Sequence, residues 1–315
     1  MICTLALSNQ RRGFLTALAV VLALGAPKAD ATVVRMNFTI GGEAYGSADF
    51  RMFDSAMPVS VANFLNYFDR YPGTFIHRNT RNPLGQPDGN FVVQGGGFEF
   101  VPPNSAPAIA TDPPIADEPG GGVQGISNLR GTLSNAKSGP NTVTSQWFVN
   151  LDNNSFLDSP ARSDGGFAAF GRVLGDGMVV FDAVDLLQKL DLDGANSSTF
   201  NDVPVGDVDD PLGTLVILSS IEVLDNPDGD YNFDGTVDSA DYVVWRDTLG
   251  SELLLEADGD GSGVVDAADY QLWRDNFGAT SGSLSAGGSA APEPAAAALV
   301  GLGLTGCLTR RRHRA

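Results

Sequence analysis

The stretch Gly73–Gly97, GTFIHRNTRNPLGQPDGNFVVQGGG, constrains the fold more than any other part of the chain. Two apolar runs, Phe75-Ile76 and Phe91-Val92-Val93, flank a turn-rich insert that holds Asn82-Pro83 and Pro87-Asp88-Gly89. That pattern reads as strand, loop, strand. Each run carries one polar group among apolar neighbours, Arg78 on the first and Gln94 on the second. An arginine on a half-buried sheet face needs a partner or a task, because burying an unpaired charge is costly.

Further motifs follow in order: Asn128-Leu129-Arg130-Gly131-Thr132-Leu133-Ser134-Asn135-Ala136, Ser145-Gln146-Trp147-Phe148-Val149-Asn150, Phe156-Leu157-Asp158 and Phe170-Gly171-Arg172-Val173. Upstream stand Phe53-Asp54, Pro58, Val61, Asn63-Phe64 and Tyr71-Pro72-Gly73-Thr74. Together with Phe75-x-His77-Arg78 and Phe91-x-x-Gln94-Gly95-Gly96, this series resembles the cyclophilin family of peptidyl-prolyl isomerases over residues 33–224. A prolyl amide rotates over a barrier of about 18–20 kcal/mol, and a catalyst of that rotation must stabilise the twisted amide. A guanidinium near the prolyl nitrogen does so, since that nitrogen regains its lone pair as resonance is lost. The resemblance gives this role to Arg78, with Gln94 bonding the substrate backbone and Gln146 supporting the same network. It assigns the proline pocket to Phe91, Val92, Phe148, Phe156, Leu157 and Phe167, and the grip on the peptide to the backbone at Ala136-Lys137. No cofactor is implied for catalysis. His77 is expected to be structural, and with His313 as the only other histidine a histidine-based metal site or triad has almost nothing to draw on.

The sequence departs from the family at Asn135, where methionine is common, at Phe156, where tryptophan often stands, and at Phe167, where histidine or tyrosine is typical. The loop 79–90 is longer than the family's usual short turn, long enough to reshape or cover the pocket.

With 315 residues and 43% hydrophobic content, the chain holds material for one sizeable core plus smaller modules. Its formal charge of −19 argues against a nucleic-acid partner. Residues 1–31 read as a signal peptide: Arg11-Arg12 precede an apolar run from Phe14 to Ala26, and Ala29-Asp30-Ala31 offers small residues at a cleavage site. Arg11-Arg12-Gly13-Phe14-Leu15 fits both a twin-arginine signal and an ordinary one. The two cysteines, Cys3 and Cys307, lie in the terminal segments, so the body between them has no disulfide to form.

Val33–Ile40 alternates as a strand, Ser60–Phe68 and Asp176–Val184 read as helices, Asp191–Pro211 as an acidic insert, and Leu215–Val223 as a closing strand. Periodicity alone gives a mainly β domain. The resemblance implies a closed eight-stranded barrel capped by two helices, over residues 32–225.

Residues 226–279 contain a duplication. Asp230, Asn232, Asp234, Thr236, Asp238 and Asp241 occupy positions 1, 3, 5, 7, 9 and 12 of a calcium-type loop, with Gly235 at position 6 for the sharp turn. Asp258, Asp260, Ser262, Val264, Asp266 and Asp269 repeat the pattern 258 − 230 = 28 residues later. Each copy leads into a matching helix, Asp241–Asp247 and Asp269–Asp275. Paired loops of this kind, with Asp at position 12, resemble dockerin type I modules and imply bound Ca2+ in a small α-helical module. Other acidic repeats, thrombospondin-like or disordered, share the composition. A cohesin-like partner is the family's counterpart; the hydroxyl pair often found at positions 10 and 11 is here Ser239-Ala240 and Ala267-Ala268.

A Gly/Ser/Ala linker spans 280–291. Pro292-Glu293-Pro294, an apolar run from Ala295 to Leu308 and Arg310-Arg311-Arg312 then resemble a PEP-CTERM sorting segment (292–315), short for a membrane span and suited to transient membrane contact. The whole reads as an exported prolyl isomerase of a Gram-negative-type bacterium, at the cell surface or secreted, acting on proline-containing polypeptides. Two rival classes are a non-catalytic binder of such peptides and a calcium-dependent adhesion protein.

Overall fold

The computed structural model describes residues 31–81, 90–118, 126–194 and 199–281. The signal segment, most of the 79–90 loop and the C-terminal sorting segment therefore lie outside the described residues. The first half of the chain supplies β1 (Val33–Ile40), β2 (Glu43–Met52), α1 (Pro58–Leu65), β3 (Arg78–Arg81), β4 (Asn90–Gly95), β5 (Thr132–Asn135) and β6 (Trp147–Asn150). The second half supplies β7 (Ala169–Val173), α2 (Met178–Leu186), β8 (Gln188–Leu190), β9 (Val203–Val205), β10 (Val216–Val223), α3 (Ser239–Thr248) and α4 (Ala267–Asp275).

Alternation builds the first hairpin. Val34, Met36 and Phe38 of β1 point into the core while Arg35 faces outward to its cross-strand partner Asp49, 2.7 Å away. Gly41 and Gly42, both with φ positive, make the tight turn into β2. Eight strands then form one curled antiparallel sheet in the order β10-β1-β2-β7-β5-β6-β4-β3.

This sheet is a half-barrel and not the closed barrel that the resemblance implied. Its end strands, β10 and β3, do not pair with each other. The residues just ahead of β3 lean on β10, with the Ile76 N–H donating to the Val216 carbonyl at 2.9 Å and the Leu218 N–H to Thr74 at 2.8 Å. From His77 onward the chain turns toward β4. The outward N–H of Asn79 donates instead to Asp202, beside the small β8–β9 hairpin, at 2.8 Å. The acidic insert has taken the edge that closure would need.

Two helices cover the core. Phe181 of α2 meets Phe38 and Phe50 edge-on at 5.7 and 5.9 Å. Phe64 of α1 packs 5.3 Å from both Tyr71 and Phe170. Each such buried phenylalanine contributes about 1.5–3 kcal/mol. Pro58 opens α1 without a capping side chain of its own; the Glu118 carboxylate accepts the Val59 and Ser60 N–H groups at 3.0 and 2.7 Å instead.

The duplicated segment forms two loops, each running into its helix. Asp238 and Asp266 cap α3 and α4 with complete capping boxes closed by Asp241 and Asp269. Gly235 and Gly263 both have φ +88°, the left-handed turn that position 6 of such a loop requires. The halves interlock reciprocally: the Trp245 indole donates to the Asp266 carbonyl and the Trp273 indole to the Asp238 carbonyl, each at 2.7 Å. Tyr231, Leu255, Ala257 and Val265 belong to the same buried cluster as the half-barrel interior.

Candidate active site

Strands β3, β4, β5 and β6 set the site's side chains. Arg78 of β3 stands opposite Gln94 of β4, and Gln94 opposite Phe148 of β6. Between them lies a cavity of about 130 Å³ lined by Arg78, Phe91, Val92, Gln94, Ala136, Lys137, Phe148, Leu157 and Phe167. Its floor is apolar and its mouth is cationic. Arg78 is exposed, not half-buried as its strand pattern suggested, so it meets no burial penalty and is free to reach a ligand.

Two of the expected pocket residues stand just behind the lining. Phe156 stacks on Phe91 at 5.8 Å, holding that ring in place. Gln146 accepts a hydrogen bond from the Gln94 amide at 2.8 Å, and so orients Gln94. Gln146 also lines a second cleft, of about 240 Å³, with His77, Arg78, Gln94, Phe98 and Thr199. Arg78 and Gln94 border both spaces and form the divide between them. At the expected backbone grip, the Ala136 N–H is committed to the Gln146 carbonyl at 2.9 Å, where β5 meets β6, so Ala136 has its carbonyl to offer a peptide beside the Lys137 backbone. The Lys137 side chain is buried against Asp117, 2.6 Å away.

The glycines after β4 have a local cause. A Cβ on Gly96, which has φ +75°, would lie 2.6 Å from the Trp147 indole nitrogen, and one on Gly97 2.8 Å from the Gln146 side chain. Only a bare backbone lets these two side chains lie flat beneath the site.

Residues 35–209 match the family model for cyclophilin type peptidyl-prolyl cis-trans isomerases. The chain belongs to this family. A peptidyl-prolyl cis-trans isomerase of Acinetobacter baylyi is 37% identical over 142 residues, 44% of this chain and 66% of its own. Isomerase A of Dickeya dadantii is 38% identical over 146 residues, 45% of this chain and 68% of its own. Isomerase B of Escherichia coli is 33% identical over 169 residues, 52% of this chain and 90% of its own.

In this cyclophilin, His77 is 2% exposed and burial lowers its pKa to about 4, helped by the neighbouring Arg78 charge. Phe98 packs edge-on against its ring at 4.9 Å. It is a neutral structural group beside the guanidinium.

A polar network that sequence reasoning did not single out fixes the pocket wall. Asn128 donates to Asp158 at 2.7 Å and to the Phe167 carbonyl at 2.8 Å, and accepts from Ser134 at 2.7 Å. Asn154 donates to the Asn150 side chain and to the Phe91 carbonyl, both at 2.9 Å. Asn128, Ser134, Asn150 and Asn154 are all fully buried, and such groups persist only with their partners in place. The signal in the sequence is asparagine at 128, 150 and 154, each close to Leu133 or to the apolar runs Trp147-Phe148-Val149 and Phe156-Leu157. Asn135, in the position where methionine is common, donates to the Ser60 hydroxyl of α1 at 2.8 Å and is thereby satisfied.

The paired loops fit a hard cation. In the first, Asp230 is fully buried and its Oδ1 has no hydrogen-bond partner, while Oδ2 accepts from Gly235 N–H at 2.9 Å. In the second, carboxylate oxygens of Asp258, Asp260 and Asp269 lie within 4.8 Å of one another. Ligands on opposite sides of a calcium ion stand about 4.6–5.2 Å apart, so this spacing suits that ion. Burial, reinforced by neighbouring carboxylates, pushes Asp258 up to about 7 and Asp269 up to about 6. Asn232, Asp234, Thr236, Asp238 and Asp241 lie on the first loop and Ser262, Val264 and Asp266 on the second; among the described residues the three-carboxylate cluster is that of the second loop.

Proposed function

We propose that the chain is an exported cyclophilin that accelerates rotation of X–Pro bonds in extracytoplasmic polypeptides. The observation that carries this is the juxtaposition of Arg78 and Gln94 at the rim of a small apolar cavity. A proline ring enters between Phe91, Phe148, Leu157 and Phe167, and the peptide crosses the divide with its backbone on Gln94 and Lys137. The Arg78 guanidinium then donates to the prolyl nitrogen as it pyramidalises, stabilising the twisted amide more than the planar one. Gln146 holds Gln94, and the Asn128 network holds the wall. The two acidic loops take Ca2+, and the C-terminal module and sorting segment hold the enzyme at the cell surface.

The test is exchange of a short X–Pro peptide by the full chain and by Arg78→Ala. The variant is expected to lose about 10²–10³-fold in kcat/KM with its fold intact, by analogy with removal of one preorganised donor. Equal rates in both proteins would remove Arg78 from the mechanism. No acceleration by the folded wild type would turn the site into a peptide-binding surface.

A further inference from the structure

We propose that the second acidic loop is a metal-dependent clasp on the half-barrel, so that a cation held by Asp258, Asp260 and Asp269 stiffens the isomerase sheet at β2 and β7. The proposal rests on the calcium reading above and adds what the cation does to the enzyme.

The seat is built from both sides. Arg51, near the end of β2, is 3% exposed, and its Nη1 donates to the Asp258 carbonyl at 2.7 Å. Its guanidinium also lies 5.8 Å from the Tyr231 ring and 5.4 Å from that of Phe233. The Ser55 hydroxyl donates to the Asp260 carbonyl at 2.5 Å, and the Ala56 N–H to Gly261 at 3.3 Å. Three carbonyls of one loop are thus held by residues 51–56. The fit leaves no spare room: a Cβ on Gly261 would lie 2.9 Å from the Asp54 nitrogen, and one on Gly263 2.8 Å from Ile126.

The first loop is held differently. Its corresponding carbonyl, that of Asp230, accepts from Asn226 of its own segment at 3.1 Å. The two loops share a sequence pattern, and Arg51 touches rings of the first, but among the described residues the second alone has its carbonyls hydrogen-bonded by residues 51–56.

The linkage follows from which atoms do what. Asp258 and Asp260 offer their carboxylates to the cation and their carbonyls to Arg51 and Ser55. The loop shape that the cation enforces is therefore the shape that fits the sheet. Without the cation, three carboxylates within 4.8 Å repel one another. An opened loop would strand the Arg51 charge in a site from which water is excluded, an unfavourable outcome that a closed loop avoids. Arg172, the cross-strand neighbour of Arg51 on β7, and Glu256 complete the charges at this junction. Ile126 lies one residue from Ser127, which bonds Asp158 behind the pocket wall.

Amide hydrogen exchange on the full chain, with CaCl2 or with EDTA, tests the clasp. With calcium at about 100 times its dissociation constant, exchange through openings that release the cation slows by about 100-fold. That slowing is expected at residues 50–57 and 170–173 as well as within 226–281. Arg51→Met is expected to bind calcium by calorimetry as before while the slowing at 50–57 and 170–173 disappears. Ser55→Ala, a smaller change that spares the fold if Arg51→Met does not, is expected to diminish it. Protection confined to 226–281 in the wild type would overturn the clasp and leave the calcium reading standing. Calcium binding with no response to either substitution would equally overturn it. No calcium response anywhere in the chain would overturn both readings.

Discussion

The state of His77 gives a quantitative test of how the site is built. Its folded pKa of about 4 lies below the ordinary value of 6.5 because burial penalises the imidazolium, and Arg78 adds a like charge. Between those two values the unfolded chain binds a proton that the folded chain refuses. Stability from this group is therefore fully present above pH 6.5 and is lost as pH falls toward 4. From pH 7 to pH 4.5 the loss amounts to about 2.4 kcal/mol, using about 1.36 kcal/mol per unit of pKa difference. Carboxylates also titrate in acid, so the measurement is a comparison: urea denaturation of the wild type and His77→Gln at both pH values. The variant is expected to be less stable at pH 7, through lost packing against Phe98, and to lose about 2 kcal/mol less than the wild type on acidification. Equal acid losses in the two proteins, or an imidazole NMR titration centred near 6.5, would refute the buried neutral histidine. The same state predicts that kcat/KM is flat between pH 6 and 8, because His77, the imidazole beside Arg78, stays neutral throughout that range.

Two further perturbations probe the supports of the pocket. Gly96→Ala forces a Cβ to within 2.6 Å of Trp147 at φ +75°, combining about 1–2 kcal/mol of backbone cost with about 1–3 kcal/mol of overpacking. Its thermal or urea midpoint should fall accordingly; an unchanged midpoint would show that Trp147 can move aside. Asn128→Ala leaves the Ser134 hydroxyl without its acceptor and the Phe167 carbonyl without its donor, and should cost about 2–4 kcal/mol while raising KM more than it lowers kcat, read by melts and peptide kinetics.

Much of the site could be read from the chain because its parts lie on short, ordered motifs. Phe91, Val92 and Gln94 fall on one strand, Gln146 and Phe148 on or just before another, and Phe156-Leu157 on one turn. What could not be read depends on contacts between distant segments. Nothing near Asn79 indicates that Asp202 will take its N–H and keep the sheet from closing. Glu118 caps a helix 58–59 residues away, beyond the reach of any local capping pattern. Arg51 follows the strand alternation of a surface residue, yet it sits between the buried Phe50 and Met52 and is buried itself. Its only local hint is the apolar run Phe50-Arg51-Met52-Phe53. The loops show the opposite balance: ligand spacing and the glycine at position 6 were plain, and the surface beneath the second loop was not.

The crossed indole bonds of Trp245 and Trp273 give the chain a built-in optical reporter. Of its three tryptophans, Trp147 is sealed beneath the pocket, while the other two are each wired to the ninth position of the opposite acidic loop. Emission from Trp245 and Trp273 therefore follows the state of the loops, against a background from Trp147 that follows the sheet. Exciting one chromophore type in the unlabelled protein thus separates the two halves of the molecule by their response to a titrated ion.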